Sequence, residues 1–134
     1  MQDKDKDLAK YRFSLAEETL ANAKMCLENR FYRDWINRSY YVAFYAVKAV
    51  LALESIDFKR HKDAIAYFNK IYVANDIFPR ELGKRLGRIK MVREESDYSD
   101  FFIASEEDAT KQYAAAQYIV ETVRIYLNER KVFE

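Results

Sequence analysis

The chain has 134 residues, half of them hydrophobic and 34% charged, with a formal charge of +1. That length holds one core, so residues 1–134 read as a single domain, and near-neutrality excludes strong attraction of the whole surface to nucleic acid. With only 2 Gly and 1 Pro, long helices with few tight turns are favoured over sheets, and the expected class is all-α.

The first helix is predicted over Leu8–Glu28, with Leu8, Tyr11, Leu15, Ala16, Leu20, Ala23 and Leu27 at helical spacing. Asn29 to Asp34 breaks the pattern. A second, central helix follows from about Arg33 to Glu54, striped by Ile36, Tyr40, Ala43, Val47, Val50 and Leu51. A third near Lys62–Val73 offers Ile65, Phe68 and Tyr72 for burial, and Asn75, Asp76 and Pro79 mark the turn after it.

The fourth helix, about Pro79–Glu95, places Leu82, Leu86 and Ile89 on one face. Gly83 and Gly87 each cost about 1 kcal/mol against Ala in a helix interior, a cost that close packing against a neighbour would offset. The last helix starts at Ser105, where SEED reads as a capping box with Asp108 in the acidic place. Its stripe is Ala109, Tyr113, Ala116, Val120, Val123 and Leu127, with steps of four and three. The expectation is an up-and-down four-helix bundle with an additional short helix, ordered from about residue 8 to 130, with polar, frayed ends.

Within Asn37–Val50, NRSYYVAFYAVKAV, Arg38 and Tyr45 are seven residues apart and fall within roughly 20° of each other on the helix, with Tyr41 beside them. Two readings stand. The tyrosines are core residues and Arg38 pairs with a carboxylate of another helix, or Asn37, Arg38, Tyr41 and Tyr45 line a groove where the arginine clamps a phosphate. Arg80, Lys84 and Arg88 recur every four residues with Arg85 adjacent, either a solvated face or a phosphate-binding strip. Arg93 and Asp97 are placed to pair at i, i+4. His61 is either a surface residue at a helix start or a polar group facing the central helix.

The lone Cys26 cannot form an internal disulfide, and MQDKDKDLAK lacks the apolar core of a signal peptide, so a cytoplasmic protein is expected. Lys48 and Glu54 flank the most hydrophobic segment, which argues against a membrane span. One His, one Cys and no HxxxH or CxxC spacing give no support for a metal or other cofactor.

Together, RSYYVAFYAVKAVL, the first-helix segment Ala16–Leu27, FYRDWINRSYY, KRHKDAIAYFNK and REESDY, in that arrangement along the chain, resemble the HEPN domain family. The likeness is to its small prokaryotic members encoded beside minimal nucleotidyltransferases. The resemblance implies an all-α bundle that dimerises with its second helices near the subunit seam. Many such proteins are metal-independent ribonucleases of toxin–antitoxin or defence systems, with an R-x(4–6)-H motif. The Arg of that motif binds the scissile phosphate, and the His transfers a proton.

Arg38 matches the motif arginine, but Tyr45 stands at the position of the histidine, and Ser39 at the polar position after the arginine. A phenol with a reference pKa of about 10 is a poor base near neutral pH. The expectation is therefore a homodimeric nucleotide- or RNA-binding module, or a partner of a nucleotidyltransferase, with a degenerate motif. Its binding residues would be Asn37, Arg38, Tyr41, Tyr45, Arg85 and Arg88. The alternatives are an active endoribonuclease using Arg38 with Tyr45 or His61, and a purely structural interaction protein.

Overall fold

The computed structural model describes residues 2–134. Five α-helices follow one another: α1 (Asp3–Glu28), α2 (Tyr32–Ala52), α3 (His61–Phe68), α4 (Arg80–Tyr98) and α5 (Glu106–Glu129). Among the described residues there is no strand, so the all-α bundle with one extra short helix is what the sequence forms.

Cross-helix contacts fix the directions. Ser55 Oγ donates to Asp5 Oδ1 at 2.7 Å and Arg12 Nη1 to the Lys48 carbonyl at 3.2 Å, so the start of α1 lies beside the end of α2. The Arg93 guanidinium lies 4.9 Å from the Tyr40 ring centroid, setting the end of α4 against the first half of α2. Both α1 and α4 therefore run antiparallel to α2, and Tyr113 beside Trp35 sets the start of α5 at the start of α2, so the long helices alternate in direction. α2 is central, packed against α1, α3, α4 and α5, and buries Ile36, Tyr40, Ala43, Val47, Val50 and Leu51 as its stripe requires.

The face of α1 differs from the expected one. Ala9, Phe13, Ala16, Thr19 and Ala23 are buried, while Leu8 and Tyr11 stand 40% and 60% exposed. Alanines let the α1 backbone come close to α2, whose own Ala43, Ala46 and Ala49 are fully buried, so small residues mark the contact instead of large ones. Both ends are also more structured than their polarity suggests. Asp3 and Asp5 sit in the first turn of α1, where carboxylates suit the helix dipole. Beyond Arg130, Val132 is buried and Phe133 packs on Phe13 with centroids 5.5 Å apart.

The helix ends share one device. Arg30, Ser55, Asp76 and Lys131 have φ of 58°, 56°, 59° and 59°, the left-handed region. The next N–H in each case reaches five residues back: Phe31 to Cys26, Ile56 to Leu51, Ile77 to Tyr72 and Val132 to Leu127. These are Schellman closures made without glycine. At the other end of α5, Ser105 Oγ accepts from the Asp108 N–H at 3.0 Å, as the capping reading expects.

After Phe68 the chain widens into a π-helical turn, Asn69–Val73, which stacks Tyr72 on Phe68 at 5.3 Å beside Phe78. Gly83 serves this turn, because a Cβ there would lie 2.8 Å from Val73 Cγ1, whereas a Cβ at Gly87 would meet nothing within 4 Å. The two glycines should therefore respond oppositely. Gly87→Ala is expected to stabilise the protein by up to about 1 kcal/mol and Gly83→Ala to destabilise it by about 1 kcal/mol or more. Urea unfolding of both variants checks this, and equal signs would refute the distinction.

Candidate functional site

Arg38 is exposed, and among the described residues no carboxylate lies within ion-pair distance of it. The reading in which it pairs with another helix is therefore not what the structure forms. Tyr41 and Tyr45 are half-buried on the same face, their ring centroids 6.0 Å apart, and Asn37 is half-buried one residue before Arg38.

A second constellation begins at Tyr40 and Tyr41 and runs away from Arg38. The buried Tyr40 hydroxyl lies 3.0 Å from His61 Nδ1. His61 stacks on Phe44 at 3.8 Å and meets Tyr41 edge-on at 5.8 Å, so α3 is held on α2 through its first residue. Arg93 covers the other side, 4.9 Å from Tyr40 and 5.7 Å from Tyr41. Its Nε is 2.9 Å from Asp97 Oδ2, yet this buried N–H has no well-directed acceptor. Lys48, 5.8 Å from the Phe44 ring, is ion-paired with Asp57, which Arg12 also contacts at 3.3 Å.

These neighbours set the protonation of the group. Burial, and then the charges of Arg93 and Lys48, push the His61 imidazole below its ordinary 6.5, so it is neutral at pH 7. Burial pushes the Tyr40 hydroxyl up to about 12, so it stays a neutral phenol, donor or acceptor to Nδ1 according to the imidazole tautomer. A histidine disfavoured as a cation makes the unfolded chain the better proton acceptor. Stability linked to His61 is thus intact above about pH 6.5, falls as the pH drops through that value, and levels off below the folded-state pKa. His61→Gln should flatten this part of the profile in urea unfolding at pH 7.5, 6.5 and 5.5. An unchanged slope would show that another group is responsible.

Among the described residues no hydrogen bond joins Arg38 to His61. At about 100° per residue, Arg38 sits roughly 110° around α2 from the centre of the Tyr40, Tyr41 and Phe44 patch that His61 covers. The arginine next to His61 is Arg93, which the sequence offers only as the partner of Asp97. The signal was present, since the K-x-H and R-x-x-x-DY segments are both part of the resemblance, but nothing in their spacing says that they meet. Arg85 and Arg88 are elsewhere again. They line an open groove between α4 and α5, with Arg85 bound to Glu81 at 2.9 Å and lying 4.4 Å from the Tyr118 ring centroid.

Among the described residues, no three His, Cys, Asp or Glu side chains converge as a metal site requires. No helix there is long and apolar enough to cross a membrane.

The family model for the HEPN domain matches residues 9–126. The chain belongs to the HEPN domain family. This HEPN chain is 29% identical over 131 residues to a UPF0332 protein of Thermotoga maritima, covering 98% of each chain. It is 31% identical over 116 residues to "Putative toxin MJ0605" of Methanocaldococcus jannaschii, covering 86% of this chain and 85% of that one. A second protein of that organism, "Putative toxin MJ0142", is 26% identical over 118 residues, covering 88% and 76%. The HEPN match spans the whole bundle from the buried face of α1 to the last turns of α5, so it includes both constellations on α2.

Proposed function

We propose that this HEPN chain binds single-stranded RNA or a nucleotide through the Arg38, Tyr41 and Tyr45 face of α2. It would do so as a homodimeric module of a toxin-type or defence system, with a nucleotidyltransferase as its protein partner. The observation that carries this reading is the free guanidinium of Arg38 beside two half-buried phenol rings. An arginine without a carboxylate keeps its donors for a phosphate, and rings one and two turns along offer faces on which bases stack. Asn37 adds a polar edge next to the arginine. The names of two relatives, both described as putative toxins, support the placement in a toxin-type system.

The test is purified protein with a fluorescently labelled RNA oligonucleotide in chelator. Anisotropy should report binding that Arg38 variants weaken, and gels should show the RNA intact. Metal-free cleavage abolished by Arg38→Ala would replace this reading with an enzymatic one.

One observation favours such an enzyme as the second reading: a neutral His61 and the Arg93 guanidinium meet the same tyrosine, His61 at its hydroxyl and Arg93 over its ring. In that role His61 Nδ1–H donates to the Tyr40 oxygen, and the free Nε2 takes the proton of a 2′-hydroxyl, whose oxygen attacks the adjacent phosphorus. The 5′-oxygen leaves and gains a proton, giving a cyclic phosphate and a free 5′-hydroxyl. His61→Ala would then abolish cleavage while Tyr45→Phe spared it. The reverse pattern would place the proton transfer at Tyr45.

A further inference from the structure

The groove between α4 and α5 has an open volume of about 630 Å³ and is lined by Lys84, Arg88, Met91, Lys111, Gln112 and Ala115, among others. It lies away from His61 and Arg38, and the RNA-binding reading makes no use of it. We propose that this groove is a binding site for a small phosphate ester with a compact apolar body.

Three independent features point there. The first is charge. Lys84 and Arg88 are one helical turn apart on α4, and neither has an ion-pair partner among the described residues, whereas Arg85 and Lys111 are matched by Glu81 and Glu107. Two unpaired cations at i, i+4 suit a phosphate monoester, which carries about −1.5 to −2 at pH 7. The arginine can take it through two parallel hydrogen bonds.

The second is shape. The floor is apolar, made by Met91, Ala114 and Ala115, and the space above Gly87 is open because no atom lies within 4 Å of where a Cβ would be. A volume of this size falls in the range of small-molecule sites, about 300–1,000 Å³. The carboxylates of Glu81, on the lining, and Glu107, bound to Lys111 at 3.1 Å, would repel a polyanion running along the groove. A compact ligand with one phosphate avoids both.

The third is Gln112, only 3% exposed, whose Oε1 finds no donor in the chain. A buried acceptor left unpaired costs about 1–3 kcal/mol, and a leucine of similar size at this place on α5 would avoid that cost. A ligand N–H reaching the groove wall satisfies it, after a turn about the soft last torsion of the side chain.

Calorimetric titration of the full chain with phenyl phosphate, adenosine monophosphate, glycerol phosphate and inorganic phosphate tests the assignment. Phenyl phosphate and the nucleotide should bind, each at least about tenfold more tightly than inorganic phosphate. Gly87→Leu starts from a Cβ position with no neighbouring side chain within 4 Å and carries its bulk into the groove, so it should abolish this binding while the melting temperature stays equal or rises. Gln112→Leu should weaken the nucleotide, which carries N–H donors, and leave phenyl phosphate unchanged. A nucleotide bound no more tightly than phenyl phosphate would exclude the Gln112 contact. The proposal fails if no ester binds at millimolar concentration, if inorganic phosphate binds as well as the esters, or if the folded Gly87→Leu protein binds them undiminished.

Discussion

Arg38→Glu is expected to weaken RNA binding by about 100-fold at moderate salt. Loss of a charge-assisted contact to phosphate accounts for roughly 1.5–3 kcal/mol, and the new carboxylate adds repulsion to an anionic backbone. Because Arg38 is exposed and makes no ion pair among the described residues, the substitution breaks nothing in the fold. Its melting temperature should match that of the wild type. Arg38→Lys should fall between the two, since it keeps the charge and loses the planar fork. Repeating the titration across salt concentrations separates phosphate contact from stacking. Arg38→Ala should lower the slope of log affinity against log salt by about 0.7 for one phosphate of a single strand, whereas Arg38→Lys should keep it and Tyr41→Leu should weaken binding at every salt concentration without changing that slope. Affinity for RNA that is insensitive to Arg38→Glu would move the interface away from this face.

Trp35→Ala should cost about 3–5 kcal/mol, a large share of the 5–15 kcal/mol typical of a domain. Trp35 is 1% exposed and anchors a small core of its own with Ala23, Ile36, Val92 and Ala109, meeting the tilted rings of Tyr113 at 5.4 Å and Tyr32 at 6.4 Å. Trp35→Phe is the informative companion. It keeps the ring contacts and removes an indole N–H that has no acceptor in the chain, so its cost should fall to roughly 1 kcal/mol. Equilibrium denaturation of both variants measures the difference. Similar losses would mean that the indole N–H is satisfied in solution.

The positions of the helices were legible because apolar residues recur at helical spacing, and the cap at Ser105 because its chemistry is local. The buried face of α1 was harder to read. There the contact is made by alanines, which hydropathy weighs less than the Leu8 and Tyr11 that point outward. The candidate site was readable only in part. Arg38, Tyr41 and Tyr45 lie within two turns of one helix, so helical geometry alone groups them. His61 and Arg93 come from different helices, and their meeting over Tyr40 depends on how α3 and α4 pack on α2. The same limit applies to Arg85 and Arg88. Their helix was identified, but its neighbour on that side is α5, and so they fall into a different groove from Arg38.

The Schellman closures bear on how heat-resistant a protein of this design can become. Each holds an L-residue where glycine pays no Cβ penalty, a penalty of about 1 kcal/mol per position. Arg30, Asp76 and Lys131 lie outside both α2 constellations, whereas the Ser55 hydroxyl also holds Asp5 and so has less to gain from replacement. The chain thus keeps an unused reserve of thermal tolerance in its turns, one that can be drawn on without altering either constellation on α2.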